Sequence, residues 1–220
     1  MTTTITATTA TITGERLMRL ITAVAPFTGP ADLRLDAVHI EADGHRVTAY
    51  ATDRYTLGVA RDRIDRVRFA PVSLDPDEVS QLRRTLMAHP GSDVDFTSAT
   101  QFHEDPELAL LTDQGLLSVS AGATGSVKPP LWRKALTECM PTGQGCPALA
   151  IRPEFLARLQ PATQMAPEHT LAWFAPDAPK RPVVVTLGTW FHALLMPAEV
   201  PAPEAATVTA TLHEPSDPPF

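Results

Sequence analysis

Cysteine, lysine and long apolar runs are all scarce in this chain of 220 residues, and each scarcity narrows what the protein can be. The two cysteines, Cys139 and Cys146, form no CxxC pair and no disulfide framework, which indicates a reduced, cytoplasmic protein. No apolar run reaches membrane-spanning length, and the Thr-rich start lacks the features of a secretory signal, so we expect no membrane association. Fifteen arginines stand against three lysines, and the net charge of −7 argues against an ordinary nucleic-acid-binding protein.

Catalytic and metal-binding motifs are missing as well. The sequence contains no GxxxxGK(S/T), GxGxxG or GxSxG motif, so nucleotide-dependent and hydrolytic chemistry lack support. Its seven histidines do not pair at a metal-ligand spacing such as HxxxH. We therefore expect no catalytic residue, no metal site and no cofactor, in a protein that is not an enzyme. The opposite hypothesis, a catalytic protein on an unrelated α+β fold, is kept as an alternative.

A pattern of nine residues occurs three times, at residues 12–20, 74–82 and 151–159. Each copy has an apolar residue, a spacer, Gly or Pro and an acid, followed by apolar positions and an Arg or Gln. The first apolar residue can end a strand, and the Gly or Pro can then open a helix. Thr13 and Asp75 are predicted N-caps of two of these helices. Repetition on this scale predicts one structural unit that is used three times.

Alternating apolar residues after each predicted helix indicate about three strands per unit. These strands are predicted at 37–41, 46–51 and 55–60, at 93–96, 108–112 and 116–120, and at 170–174, 183–187 and 192–196. Each unit is thus strand, helix and three strands (βαβββ), which predicts an α+β fold with antiparallel sheets. The predicted organisation is an N-terminal extension at 1–9, a domain of two units at 10–140, a third unit at 147–200 and a disordered, Pro-rich tail at 201–220.

Three segments, in the same order as in a known family, carry a resemblance. Residues 35–60 (LDAVHIEADGHRVTAYATDRYTLGVA) include a strand that ends in Ala-Thr-Asp. Residues 129–136 (PPLWRKAL) are similar to a Phe-Pro-Asp-Tyr-Arg-Arg-Val-Leu segment, and residues 193–197 (ALLMP) to a terminal Val-Val-Met-Pro-Met strand. Over roughly residues 10–198 the chain resembles the bacterial β sliding clamps (DNA polymerase III beta subunits), as a shortened or phage-type member. The resemblance implies the DNA-clamp fold, with inner helices around a hole and outer antiparallel sheets.

The resemblance also implies a function as a DNA sliding clamp, a ring-shaped processivity factor that tethers a DNA polymerase to duplex DNA. Arginines on the inner helices would contact phosphates, and such contacts are independent of sequence and sensitive to salt. The predicted DNA-binding residues are Arg16, Arg19, Arg83, Arg84, Arg152 and Arg158. Solvated helix faces also carry arginine routinely, and the helices alone leave that interpretation open.

A partner pocket is implied too, where a short apolar-ended peptide of the polymerase or the clamp loader docks. The matching positions are Leu35, Thr52, Tyr55, Leu57, Pro130, Lys134, Ala135, Leu194, Met196 and Pro197. Leu and Met walls suit Leu or Phe anchors. The family's glycine after Ala-Thr-Asp is Arg54 here, a poor occupant of a turn that needs a positive φ, so either the turn type differs or Arg54 has a local role. Ala198, in place of a methionine, predicts a shallower pocket.

The number of units bears on the assembly. A bacterial clamp ring contains twelve such units, so three units per chain predict a homo-tetramer, and a concealed fourth unit would permit a trimer. The alternative function is a clamp-like protein-binding module without a ring, which competes for the clamp-binding peptides of the polymerase or the loader.

Overall fold

The computed structural model describes residues 9–64, 68–91, 93–97, 107–112, 115–120, 129–140, 149–167, 170–175 and 180–198. In chain order its elements are β1 (Thr9–Thr13), α1 (Gly14–Val24), β2 (Val38–Asp43), β3 (Arg46–Thr52), β4 (Thr56–Arg63), β5 (Arg68–Leu74), α2 (Pro76–Ala88), β6 (Asp93–Thr97), β7 (Glu107–Thr112), β8 (Gly115–Ser120), α3 (Trp132–Cys139), α4 (Pro153–Ala157), α5 (Gln160–Gln164), β9 (Ala172–Ala175), β10 (Val183–Leu187) and β11 (Phe191–Leu195). None of these helices is long and apolar enough to cross a membrane. Apart from Thr9, the predicted extension at 1–9 and the predicted tail at 201–220 lie outside the described residues.

The first two repeats begin their helices at the predicted caps. At the start of α1, Thr13 Oγ1 accepts the backbone N–H of Arg16 at 3.4 Å. At α2, the side chain of Asp75 accepts the N–H of Glu78 and the Glu78 carboxylate accepts the N–H of Asp75, both at 2.8 Å. This reciprocal capping box satisfies N–H groups that have no partner inside the helix. Pro76 follows in the first turn, where its missing N–H costs nothing.

The third copy of the pattern predicts one helix, but the structure has two short ones, α4 and α5. The break falls at Arg158 and Leu159. Pro161 explains the break, because proline has no N–H to donate to the carbonyl of Ala157 and its ring collides with that carbonyl. The second helix then starts with Pro161 in its first turn, where proline is tolerated.

The order of elements follows the predicted βαβββ unit. β1, α1 and β2–β4 form the first unit, and β5, α2 and β6–β8 form the second. The third contains α4, α5 and β9–β11, with an isolated bridge between Ala150 and Ala198 where its first strand is expected. Helix α3, after the second unit, is an element that the sequence analysis did not predict. Trp132 and Leu136, one helical turn apart, are the signal that indicates it.

A seven-stranded antiparallel sheet joins the first and third units in the order β5-β2-β3-β4-β11-β10-β9. The two units meet through their last strands, β4 and β11, where Leu57 lies opposite Leu194. The predicted α+β fold on antiparallel sheets is therefore confirmed. Strands from both sides of the predicted boundary between residues 140 and 147 belong to this one sheet. Residues 141–148 lie outside the described part of the chain, so the domain limits stay predictions.

The first and second units exchange their first strands. β1 pairs with β6 of the second unit, and β5 pairs with β2 of the first unit. Each unit therefore covers a sheet edge of the other, and the two depend on each other to be complete. For the third unit, no described strand covers the outer edge of β9, which corresponds to β2.

Helices pack on both faces of the large sheet, and successive side chains along a strand point to opposite faces. On one side, Leu17 and Leu20 of α1 pack in the same core as Ala49 of β3. On the other side, Trp132 of α3 packs with Tyr50 of β3. We call these sides the α1 face and the α3 face. Helices α2, α4 and α5 contribute to the core on the α1 face, so α3 stands apart from them.

Candidate functional site

A cleft of about 210 Å³ opens on the α3 face, between α3 and the ends of β4 and β11. Seven of the ten residues predicted for a partner pocket line it: Thr52, Tyr55, Leu57, Pro130, Ala135, Leu194 and Met196. The structure adds Arg54, Thr56, Leu131, Trp132, Cys139 and Pro182 to the lining. We call this site the partner cleft. Its walls come from well-separated parts of the sequence, which only folding brings together.

The floor of the partner cleft is apolar and its rim is exposed. Leu57 and Leu194 are each 6% exposed and Trp132 is 5% exposed, whereas Tyr55 at the rim is 62% exposed. The carbonyl of Tyr55 accepts the backbone N–H of Met196 at 2.9 Å, which joins the rim to the end of β11. A buried apolar floor with an exposed aromatic rim can accept large apolar anchor side chains.

The turn between β3 and β4 sets the position of this rim. Asp53 Oδ1 accepts hydrogen bonds from the N–H groups of Tyr55 (2.9 Å) and Thr56 (2.6 Å) and from the Thr56 hydroxyl (2.9 Å). Asp53 Oδ2 lies 2.6 Å from Arg158 Nη1, which also donates to Thr56 Oγ1 at 2.6 Å. Because Asp53 is only 7% exposed, a buried carboxylate with a full set of donors holds the turn.

Arg54, in place of the family's glycine, adopts a φ of 81° in the left-handed region. The turn therefore keeps the conformation that favours glycine, at a cost of about 1–2 kcal/mol for a residue with a Cβ. Thr52 stabilises this conformation, because its Oγ1 accepts the Arg54 N–H at 3.2 Å and donates to the Thr56 carbonyl at 2.6 Å. The Arg54 side chain is exposed and borders the partner cleft. The turn therefore does not avoid a positive φ at this position, and a local role for the Arg54 side chain stays a prediction.

Three residues predicted for the pocket lie outside its lining. Leu35 is half-buried, and its carbonyl accepts the N–H of Gly29 at 2.7 Å. Lys134 points away on the exposed side of α3, with its ammonium 3.7 Å from the Glu138 carboxylate. Pro197 is half-buried and follows the last strand. The structure does not bring these three into the cleft.

Trp132 and Cys139 line the partner cleft but are not among the residues predicted for it. Together with Ala135 they stand at i, i+3 and i+7, the spacing of one helix face, and this signal was present in the sequence. Burial raises the pKa of the Cys139 thiol, so this side chain lines the cleft as a small apolar group.

Three of the six arginines predicted to contact DNA form close ion pairs, with N–O distances of 2.9 Å or less. Arg16 and Arg19 both reach Asp62 of β4, with N–O distances of 2.6 Å and 2.9 Å, and Arg158 reaches Asp53. Burial of Asp62 favours its neutral form, but the hydrogen bond from Arg16 and the nearby positive charges outweigh this, so the pKa of Asp62 lies below its usual value. Two carboxylates of the protein itself thus hold these three arginines, and because Arg16 and Arg19 share Asp62, that group keeps one positive charge.

The other three arginines are held less tightly. Arg84 is exposed, and its Nε donates to the Ser80 carbonyl of the same helix at 3.4 Å. Arg152 is exposed, and its Nη1 lies 3.8 Å from the Glu154 carboxylate, a loose surface pair. Arg83 is half-buried, and its Nε has no hydrogen-bond partner among the described residues. Of the predicted set, the side chains of these three make no close contact with a carboxylate among the described residues.

Within the described ranges, no group of three or more His, Cys, Asp or Glu side chains could hold a metal ion. His39 has a structural environment instead. Its Nδ1 lies 2.9 Å from Ser73 Oγ, its ring stacks on Tyr50, and burial lowers its pKa to about 4.

Solved structures share this architecture. The DNA polymerase III beta subunit of Thermotoga maritima superposes with a TM-score of 0.66 and 12% identity, over 91% of this chain and 68% of that one. A DNA polymerase sliding clamp of Pseudomonas aeruginosa, solved with a ligand, gives 0.65 and 12%, over 87% and 66%. The DNA polymerase sliding clamp of Bacillus subtilis gives 0.63 and 13%, over 91% and 67%. The chain has the sliding-clamp fold.

The resemblance found in the sequence is thereby confirmed at the level of the fold. The chain spans about two thirds of the length of these clamps. At this level of identity, the similarity establishes the architecture and leaves the activity to be argued from the site. The sequence matches no protein-family model and no curated relative.

Proposed function

We propose that the chain is a DNA sliding clamp, a processivity factor that tethers a DNA polymerase to duplex DNA without reading its sequence. The observation that carries this proposal is the partner cleft on a clamp fold, because three distant segments fold into one apolar site on the α3 face. In this proposal, the polymerase and the clamp loader dock there through a short apolar peptide. Duplex DNA lies on the opposite side, next to α1 and α2.

The proposed DNA contacts are few and weak. Arg83, Arg84 and Arg152 supply most of them, since Asp62 and Asp53 hold the side chains of the other three predicted arginines. A chain with a net charge of −7 then attracts DNA only where these side chains stand. Weak, delocalised contacts suit a protein that must slide, and they predict a strong dependence on salt.

The proposed assembly is a homo-oligomeric ring, a tetramer if three units per chain complete a ring of twelve, or a trimer with a fourth unit. The edge strand β9 supports self-association, because Leu171, Trp173 and Phe174 beside or in it are 67%, 66% and 49% exposed. In the first unit, the corresponding edge belongs to β2, and β5 of the second unit covers it. A second copy of the chain could cover β9 in the same way.

A peptide-binding experiment tests the partner cleft. A fluorescein-labelled peptide that ends in Leu-Leu-Phe is titrated with the protein and followed by anisotropy. We expect Tyr55→Ala to weaken binding by about tenfold, because an exposed rim aromatic is a typical anchor contact. Met87→Ala is the matched control, since Met87 is 69% exposed on α2, away from the cleft. Absence of binding, or an equal loss in both variants, contradicts the proposed cleft.

A second experiment tests the ring and its DNA contacts. Sedimentation equilibrium should give a multiple of the 23.7 kDa chain mass, and Trp173→Glu should shift the protein toward the monomer. Retention on nicked circular DNA should fall in the Arg84→Glu, Arg152→Glu double variant and on linearisation of the DNA. A wild-type monomer at micromolar concentration, with DNA present, argues against the ring.

One observation favours the alternative function, a clamp-like module that competes for the same peptides without encircling DNA. The ion pairs with Asp62 and Asp53 take up half of the predicted DNA-binding arginines. A competitor would bind the Leu-Leu-Phe peptide as a monomer. Its peptide affinity and its behaviour toward DNA would not respond to Arg84→Glu.

A further inference from the structure

A second cleft, of about 250 Å³, lies on the α3 face along the other side of α3. Its lining consists of Asp43, Arg46, Thr48, Arg61, Trp132, Arg133, Leu136 and Thr137. We call it the arginine cleft. Trp132 belongs to the walls of both clefts, so the arginine cleft adjoins the partner cleft.

Positive charge in the arginine cleft is only partly neutralised. Arg133 is paired, with Nη1 2.5 Å from the Glu41 carboxylate and Nη2 3.9 Å from Asp43. Arg46 and Arg61 form no ion pair with any described residue. Two guanidinium groups therefore face the same cleft without a carboxylate in contact.

Arg61 lies at the centre of this arrangement. Its guanidinium carbon is 4.5 Å from the centre of the Trp132 ring, and that of Arg133 is 4.3 Å from the same ring. The Nε of Arg61 is buried and has no hydrogen-bond partner in the described part of the chain. Burial, followed by the charges of Arg46 and Arg133, lowers the pKa of the Arg61 guanidinium. A buried donor among like charges is unfavourable until an acceptor reaches it.

Glu41, the nearest buried carboxylate in this region, already has its own donors. It accepts Trp132 Nε1 at 3.1 Å and the Tyr50 hydroxyl at 3.5 Å, in addition to Arg133. Glu41 is also only 7% exposed, so it cannot turn toward the cleft without losing these bonds. Asp43, the other carboxylate in the lining, accepts the backbone N–H groups of His45 and Arg46 and lies 3.9 Å from Arg133. A bound ligand can therefore supply the acceptor that the guanidinium groups of Arg46 and Arg61 lack.

We propose that the arginine cleft binds the carboxylate of an acidic residue that flanks the apolar end of the peptide docked in the partner cleft. This inference rests on the proposed peptide-binding function of the partner cleft. A peptide carboxylate fits better than a DNA phosphate, because the arginine cleft lies on the α3 face and α1 and α2 cover the opposite face. The shared wall at Trp132 means that one short peptide can reach both clefts. A linker of four residues spans up to about 13 Å.

Three labelled peptides test the inference by anisotropy. The first has a Gly-Ser linker and the Leu-Leu-Phe end, the second adds two Glu before a four-residue linker, and the third replaces these Glu with Gln. We expect the Glu peptide to bind wild-type protein about tenfold more tightly than the Gln peptide, as for a hydrogen bond to a charged group. Arg46→Gln should remove this gain and leave the affinity for the peptide without Glu unchanged. Arg46 is exposed, so the variant should fold.

Arg63→Gln is the matched control, since Arg63 lies directly opposite Arg46 in the β3–β4 pair but does not line the cleft. It should keep the Glu gain to within twofold. Equal binding of the Glu and Gln peptides, or an equal loss of the gain in both arginine variants, overturns the arginine cleft and leaves the partner cleft standing. If none of the three peptides binds, the proposed function falls together with this inference.

Discussion

The ion pair between Arg158 and Asp53 allows a direct test of whether Arg158 stabilises the fold or contacts DNA. The sequence pattern assigns Arg158 to DNA, whereas the structure places its guanidinium 2.6 Å from a carboxylate that is only 8% exposed at its side chain. If the structural role is correct, Arg158→Met should destabilise the protein and should have no separate effect on DNA. Methionine keeps the packing of the side-chain stem and removes the charge.

The size of the effect follows from the geometry. Charge centres about 4 Å apart attract by ~4 kcal/mol at an effective dielectric constant of ~20. Ordering the arginine side chain costs about 2 kcal/mol, and partial desolvation opposes the attraction further. Asp53 retains its donors from Tyr55 and Thr56 when Arg158 is lost, which limits the damage. We therefore expect a coupling energy of about 1–2 kcal/mol between the two side chains.

Urea unfolding of the wild type, Arg158→Met, Asp53→Asn and the double variant measures this coupling. With a slope of about 2 kcal/mol per molar urea, Arg158→Met should lower the midpoint by about 0.5–1 M. DNA retention, measured on the folded fraction, should stay at the wild-type level. An unchanged midpoint together with a loss of DNA retention refutes the structural role and restores the interpretation of Arg158 as a DNA contact.

Three further predictions concern the turn, the core and the response to acid. Arg54→Gly should raise the free energy of unfolding by about 0.5–1 kcal/mol, because it removes positive-φ strain at a smaller entropic cost, and Arg54→Ala should not. Gly58→Ala should lower the free energy of unfolding by about 1–3 kcal/mol in urea melts, since the new Cβ would stand 2.5 Å from the Phe27 ring. Gly91→Ala is the control, because there is open space around Gly91. His39 has a folded pKa of about 4, below its unfolded value, so stability present above pH ~6.5 is lost as the pH falls toward 4. Between pH 7 and 4.5 the free energy of unfolding should fall by about 2–3 kcal/mol in urea melts. If the stability of a His39→Gln variant falls with pH as steeply as that of the wild type, His39 is not the cause.

Local features of the fold could be predicted from the sequence because their causes lie within a few residues. The caps at Thr13 and Asp75 depend on side chains that reach N–H groups three positions away. The strand predicted at 183–187 coincides with β10, since its apolar run is bounded by turn residues. The third helix was harder to predict, because its apolar spacing continues across Pro161 although the hydrogen bonding cannot.

Part of the partner cleft could also be predicted, although by resemblance and not by chemistry. The segments around Thr52, Pro130 and Leu194 carry recognisable motifs, and the structure brings them together. The helical spacing of Trp132, Ala135 and Cys139 was present in the sequence, but it shows that they share a face and not that this face meets the ends of β4 and β11. The resemblance gave no reason to exclude Lys134, whose side chain turns outward on α3.

By itself, the sequence determined the repeating unit, the α+β class, the starts of the first two helices and the resemblance to sliding clamps. Only the tertiary structure decided which strands are exchanged between units, which face of the large sheet α3 packs on and which arginines pair with carboxylates. The physical reason is the separation along the chain over which each interaction acts. Capping and alternation act between neighbours along the chain, whereas an ion pair such as Arg158 with Asp53 depends on which of many distant carboxylates comes within hydrogen-bond reach. A sequence pattern can place an arginine on a helix, but the charge that it meets there is a property of the folded chain.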